Sequence, residues 1–279
     1  ALRPAQQSYS DGSLALSIET QAPTATNQPC HAVLTLRRSD NGMPLTQEEL
    51  AVVHTQKLHL FVVDESLRDY HHVHPQPTGN PGEMAFTFTP RTSHTYKAWA
   101  DFTLLKDGRN HKLLAALPAA EYHYAKPAIQ TNARIEQEGL TFDWRASGPL
   151  KAGKPAIVEV TVTDGRGRPV TNLEPVMGAF AHMVGFSADG QSIVHTHPMG
   201  REPSSPQDRG GPNVRFHVEP DVKGPMQFYV QIRQGGQDIY APFGQQIGAQ
   251  EKDAAPMQQL LMQQAALSPQ PAHLQHMQR

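Results

Sequence analysis

The chain has 279 residues, 38% of them hydrophobic, which suits one large or two ordinary domains with packed cores. Its 24 Lys and Arg nearly balance 26 Asp and Glu, so the chain lacks both the basic field of a nucleic-acid binder and the polybasic signature of a membrane-surface protein. No apolar run approaches the roughly 18 residues of a membrane-spanning helix, so neither a membrane span nor a nucleic-acid partner is expected.

The unusual part of the composition is 15 His and 9 Met beside a single Cys, Cys30, which can form no intramolecular disulfide. The chain starts ALRPAQQ without an initiator Met, as a cleaved export signal would leave it, and this sets the expectation of a periplasmic or secreted protein.

In chain order, LALSIETQAP (14–23) and AVLTLRRSDNGMPLT (32–46) alternate apolar and polar residues as strands do. TQEELAVV (46–53) is the one helical-looking segment of this half, with Thr46 and Glu49 at capping-box spacing. HLFVVDESLRDYHHVHP (59–75) then reads as two strands around a turn, ending in His72-Val73-His74-Pro75, and MAFTFTP (84–90) and YKAWADF (96–102) add two more strands. AKPAIQTNAR (125–134) reads as a linker, after which the series repeats. LTFDWRASGP (140–149), IVEVTVTDGRGRPVT (157–171), HMVGFSADGQSIVHTHP (182–198), VRFHVEP (214–220) and MQFYVQI (226–232) match the earlier segments one for one.

The expected fold is therefore all-β: two tandem immunoglobulin-like antiparallel β-sandwich domains, 1–126 and 132–249, produced by an internal duplication. The Cys and Trp hallmark of antibody domains is absent, so only the architecture is expected. Residues 250–279 form a Gln/Met-rich tail in which PMQQLLMQQAAL fits a short helix, followed by HLQHM (273–277), a His and Met tract of the kind that can scavenge metal.

The repeated histidines carry the chemistry. Asp189-Gly190 is a favoured pair for a two-residue type I′ turn, and a hairpin centred there sets His182 opposite His197. Because side chains alternate along a strand, His195 shares their face, with neighbouring Cβ atoms about 4.5 to 8 Å apart. The same register in the first copy sets His59 opposite His74, with His72 on their face and His71 on the other. Two equivalent three-nitrogen sites follow, each open on one side because the Pro ends the strand. Imidazole suits copper and zinc alike, and the thioether of Met199, with Met183 near it, favours copper. His217 is a candidate fourth ligand in the second copy, where the first has Thr87. His31, His94, His111 and His123 read as structural, and Asp64, Glu65, Asp69 and Glu83 as solvated turn charges. No HExxH, GxSxG, GxGxxG or phosphate loop is present, and no acid or base stands beside the frames, which favours binding over catalysis.

LEPVMGAFAHMVGFSADGQSIVHTHP (173–198), GPMQFYVQIRQGGQDIYAPF (224–243) and KLHLFVVDESLRDYHHVHP (57–75) together resemble bacterial exported β-sandwich proteins with a His strand followed by His-x-His-Pro. These sit near the YtkA-like and FixH-like families. The resemblance implies a heavy-metal or copper-associated factor, with metal ligands at His59, His72, His74, His182, His195 and His197. The expected function is periplasmic copper binding, with zinc as the alternative metal, in metal handling or tolerance. The expected partners are the ion and, as a candidate, another periplasmic metal-handling protein. An interaction module with structural histidines, and a copper or zinc metalloenzyme using an open three-histidine site, are the competing readings.

Overall fold

A computed structural model describes residues 3–4, 12–117, 127–196 and 198–249. His123, His197, part of the linker and the tail with its expected helix and HLQHM tract lie outside these residues.

The first half contains β1 (Arg3–Pro4), β2 (Leu14–Thr20), β3 (Cys30–Arg38), β4 (His59–Asp64), β5 (Tyr70–Val73), β6 (Gln76–Pro77), β7 (Glu83–Phe88), β8 (Tyr96–Thr103) and β9 (Asn110–Leu117). The second contains β10 (Arg134–Gln137), β11 (Leu140–Ala146), β12 (Ala156–Asp164), β13 (Ala181–Ser187), β14 (Ile193–Thr196), β15 (Pro198–Met199), β16 (Asn213–Val218), β17 (Gly224–Gln234) and β18 (Gln237–Ile247). Each half is a pair of antiparallel sheets, ordered β1-β2-β3-β7-β6 and β5-β4-β8-β9 in the first, and β10-β11-β12-β16-β15 and β14-β13-β17-β18 in the second. That is the strand distribution of an immunoglobulin-like sandwich, with the chain crossing between sheets after β3 and β12. The helical-looking segment contributes only a 3₁₀ turn, Gln47–Glu49, where the Thr46 N–H donates to Glu49 Oε2 at 2.9 Å.

Alternation explains the outer sheets. In β2 and β3, Leu14, Leu16, Ile18, Leu34 and Leu36 face inward and the polar residues between them face water. By contrast, β4 and β13 are buried at every position. Their inner faces join the cores of their own domains, and their outer faces meet each other. Phe61, Tyr70 and Trp99 of the first domain pack with Val184, Phe186 and Tyr229 of the second in one apolar cluster. Tyr70 stacks on Tyr229 at 4.8 Å between ring centroids, and the Tyr229 hydroxyl donates to the Leu67 carbonyl at 2.7 Å. Four sheets therefore stack in sequence, with the histidine-bearing sheets in the middle.

The expected register holds in both hairpins. Phe61 pairs with His72 and Val62 with His71, while Val184 pairs with His195. The turn of the second hairpin differs from expectation: the ladder closes at Ser187 and Ser192, so four residues make the loop, and only Gly190 takes a positive φ, +63°. A type I′ turn needs two such residues. The register survives because the longer loop has the same centre.

Asp64 and Asp69 are not solvated turn charges; they are 0% and 2% exposed. Asp64 Oδ1 accepts the backbone N–H groups of Arg68 and Asp69, and Asp69 Oδ2 accepts the Tyr96 hydroxyl at 2.6 Å and His71 Nε2–H at 3.0 Å. Burial opposes ionisation of Asp69, but the bonds from His71 and Tyr96 hold its carboxyl below the usual range. A hydrogen-bonded hub thus closes the first hairpin.

Candidate metal centre

The first trio converges. His59 heads β4, His72 lies on β5, and His74 follows it. His59 Nδ1 stands 3.1 Å from His72 Nε2 and 3.2 Å from His74 Nε2, and the three candidate ligand atoms all lie within 4.8 Å of one another. A tetrahedral ion with metal–nitrogen bonds of 2.0–2.1 Å separates its ligand nitrogens by about 3.3 Å. The His59–His72 and His59–His74 spacings therefore match those of ligands on one ion.

Hydrogen bonds on the far side of two rings fix their tautomers. His59 Nε2 lies 3.2 Å from the Val53 carbonyl, which can only accept, so that nitrogen carries the proton and Nδ1 presents a lone pair. His72 Nδ1 donates to Gln231 Oε1 at 3.0 Å, and the amide is oriented by its own Nε2 donating to Asp238 at 3.3 Å, so His72 Nε2 also presents a lone pair. The inner nitrogens of the two rings thus turn toward each other at 3.1 Å, and His74 Nε2 reaches His59 Nδ1 at 3.2 Å. His74 can bring a proton to His59, but burial and neighbouring imidazoles oppose a cationic ring anywhere in the trio. Burial first, then His195, depresses His59 to about 3 and His74 to about 4, and burial with His182 holds His72 well below the usual histidine range. Neutral imidazole with its outer N–H anchored is the form that binds metal.

Of the second frame, His182 and His195 are among the described residues. Its described histidines lie against the first trio across the domain interface. The His195 ring centroid is 5.2 Å from that of His59, and His182 is 5.8 Å from His72. His195 Nδ1 donates to Asp101 Oδ2 at 2.9 Å and His182 Nε2 donates to the Val176 carbonyl at 2.9 Å. Burial depresses His182 to about 3. Burial opposes ionisation of Asp101, but hydrogen bonds from His195 and Asn110 keep its carboxyl below the usual range. A cavity of about 140 Å³, lined by Val53, Lys57, His59, Asp101, Lys112 and His195 among others, reaches this seam.

The methionines do not join. Met183 lies in the core of the second domain, on the face opposite His182, because adjacent strand residues point opposite ways. Met199 is 50% exposed on β15, which pairs with β16 in the outer sheet. His217 is exposed on β16, also in the outer sheet. His71 points away from the trio, as expected, onto Phe88 and Tyr96.

Sequence reasoning missed Asp101 and Gln231. They occupy one column of the aligned strands YKAWADF and MQFYVQI, each a polar residue in an apolar run, and each pairs across the ladder with the first histidine of its frame: Asp101 with His59, Gln231 with His182. Yet each binds the second frame histidine of the other domain. His54, whose ring lies edge-on to His182 at 6.5 Å between centroids, was missed as well.

A family model described as "Domain of unknown function (DUF8832)" matches twice, over residues 8–117 and 134–248. No curated protein matches the sequence. Among solved structures, the chain is similar to invasin, a bacterial integrin-binding protein, at 9% identity and a TM-score of 0.25, covering 84% of this chain and 39% of that one. It is similar to the fibronectin(III)-like modules of Clostridium thermocellum CbhA at 10% identity and 0.21, covering 92% and 99%, and to the D00-D0 domain of intimin at 11% and 0.23, covering 82% and 98%. Likenesses at this level bear on neither fold detail nor function. The chain spans well under half of invasin's length.

Proposed function

The chain belongs to the DUF8832 family, which it carries in two copies, and from its own side chains we propose that it binds copper in metal handling or tolerance. The observation that supports this is the convergence of three ring nitrogens: His59 Nδ1 lies 3.1 Å from His72 Nε2 and 3.2 Å from His74 Nε2, with the outer nitrogens of His59 and His72 anchored on the Val53 carbonyl and Gln231. A cation between them takes one nitrogen from each ring, and His74 supplies a third. Copper(II) is preferred over zinc because nitrogen sites follow the Irving–Williams order. Zinc is the alternative occupant.

We place the protein in the periplasm or outside the cell, passing its ion to a second metal-handling protein. Its centre uses imidazole and no thiol, and so tolerates an oxidising compartment. The one cysteine, Cys30, is buried, and burial pushes its thiol up to about 11. Among the described residues no helix is long and apolar enough to cross a membrane.

The test is copper affinity of the purified full chain by competition with a chelator, for wild type and for His72→Ala. The reading expects a loss of at least about 10-fold in the variant, as removing a ligand costs no less than removing its anchor. Equal affinities, or no retention of copper or zinc by wild type at micromolar concentration, would defeat it.

A further inference from the structure

We infer that the cavity beside His59 is a binding site for a short-chain monocarboxylate, separate from the metal centre and independent of the copper reading. Its walls come from the first domain except for His195, and neither His72 nor His74 lines it. The volume of about 140 Å³ is below the roughly 300 Å³ at which pockets for drug-sized ligands begin, so its ligand is small.

Two cations line the cavity. Lys57 precedes β4, and Lys112 lies on β9, where it pairs across the ladder with Asp101 while Asn110 pairs with Thr103. Alternation along β9 puts Asn110 and Lys112 on this face and His111 on the other. The Lys57 ammonium donates to the Gln47 carbonyl at 2.9 Å and the Lys112 ammonium to the Ile193 carbonyl at 3.5 Å. An ammonium has three N–H groups, and among the described residues no carboxylate lies within ion-pair distance of either lysine, so each keeps donors for a ligand. Asp101 also lines the cavity, but both its oxygens are engaged: Oδ1 accepts the Asn110 amide at 2.6 Å and Oδ2 accepts His195 Nδ1–H at 2.9 Å. Two lysines against one aspartate leave a single positive charge, which one carboxylate neutralises. The Thr103 hydroxyl and the Gln56 amide add neutral donors, and Val53 and Phe102 form an apolar wall for a short stem.

The shared scaffold does not make such a site by default. Counted from the paired histidines, the second-domain counterparts of Lys57, Lys112, Thr103 and Asn110 are Phe180, Tyr240, Arg233 and Asp238. Aromatic rings replace both lysines, and the one cation, Arg233, is spent on Asp238 at 2.6 Å. The cations of the cavity are therefore a departure of the first domain from the common frame.

The experiment is a titration of the full chain, stripped of metal and dialysed into buffer, with sodium acetate at constant ionic strength, followed by proton–nitrogen amide spectra. Saturable shifts are expected at amides around the cavity. Lys57→Met and Lys112→Met are each expected to weaken acetate by at least about 10-fold, the loss that one charge-assisted hydrogen bond carries. Lys106→Met, at an exposed lysine of the same domain outside the cavity, is expected to leave acetate binding unchanged. No saturation in wild type, binding that survives either cavity substitution, or an equal loss in Lys106→Met overturns the carboxylate site. Because no metal is present, each of these outcomes leaves the copper reading standing.

Discussion

The two histidine frames have the same ladder, the same valine carbonyl anchors and the same four-residue loop, with different residues at its positive-φ position. In the second, Gly190 takes the positive φ, as a glycine does without strain. In the first, the equivalent residue is Leu67 at φ +56°, a conformation that costs an L-residue roughly 1–2 kcal/mol. Leu67 is held there because its side chain is 3% exposed in the interdomain cluster and its carbonyl accepts Tyr229. Burial of both faces of β4 therefore fixes the register, and the turn residue follows. The frames differ where it matters for chemistry, in the Asp101 and Gln231 anchors.

Acid should act on both frames alike, with the largest effect. A histidine with a depressed pKa is neutral in the folded state but takes up a proton on unfolding, so its contribution to stability is present above about 6.5 and is lost as pH falls toward its folded value. For His59 and His182 that value is about 3 and for His74 about 4, and for His72 it is lower than usual. Metal-free protein should lose up to about 1.4 kcal/mol per pH unit for each of them below pH 6.5. Urea unfolding at pH 7 and pH 5 reads this directly, and His59→Asn and His182→Asn should flatten the dependence by similar amounts. An acid-insensitive stability in metal-free wild type would break the symmetry argument.

Substitution at the crossed anchors should separate the frames. Gln231→Leu, which removes the anchor of His72, should reduce copper affinity by about 10- to 100-fold, whereas Asp101→Asn, behind a histidine outside the trio, should reduce it less. Isothermal titration of the two variants measures the difference. At the turns, Gly190→Ala should cost about 1 kcal/mol, since an alanine there is strained and its Cβ meets the mobile end of Lys97 at 3.0 Å. Leu67→Gly should relieve the backbone yet cost more overall through lost packing, about 2 kcal/mol net. Thermal melts of the metal-free proteins measure both. Met199→Ala, on the exposed β15, should leave copper affinity unchanged, and a measurable loss would show that the thioether reaches the centre.

Much of this was legible in the sequence. The duplication, the sandwich strands and both registers followed from alternation and from the matched His-x-His-Pro endings. The meeting of the frames did not, although a signal existed: HLFVVD and HMVGFS are apolar at consecutive positions, the mark of a strand buried on two faces, where β2 and β3 alternate. That pattern asks for a second sheet over the histidine face without identifying which sheet. Asp101 and Gln231 were hidden for another reason. Their ladder partners lie within their own domain, while their chemical partners lie in the other.

The most direct test is a crystal structure of copper-loaded protein with anomalous diffraction at the copper edge. The account predicts a peak bounded by His59 Nδ1, His72 Nε2 and His74 Nε2. Copper found only at the tail histidines or on the outer sheets, with the His59–His72 contact unchanged, would contradict it.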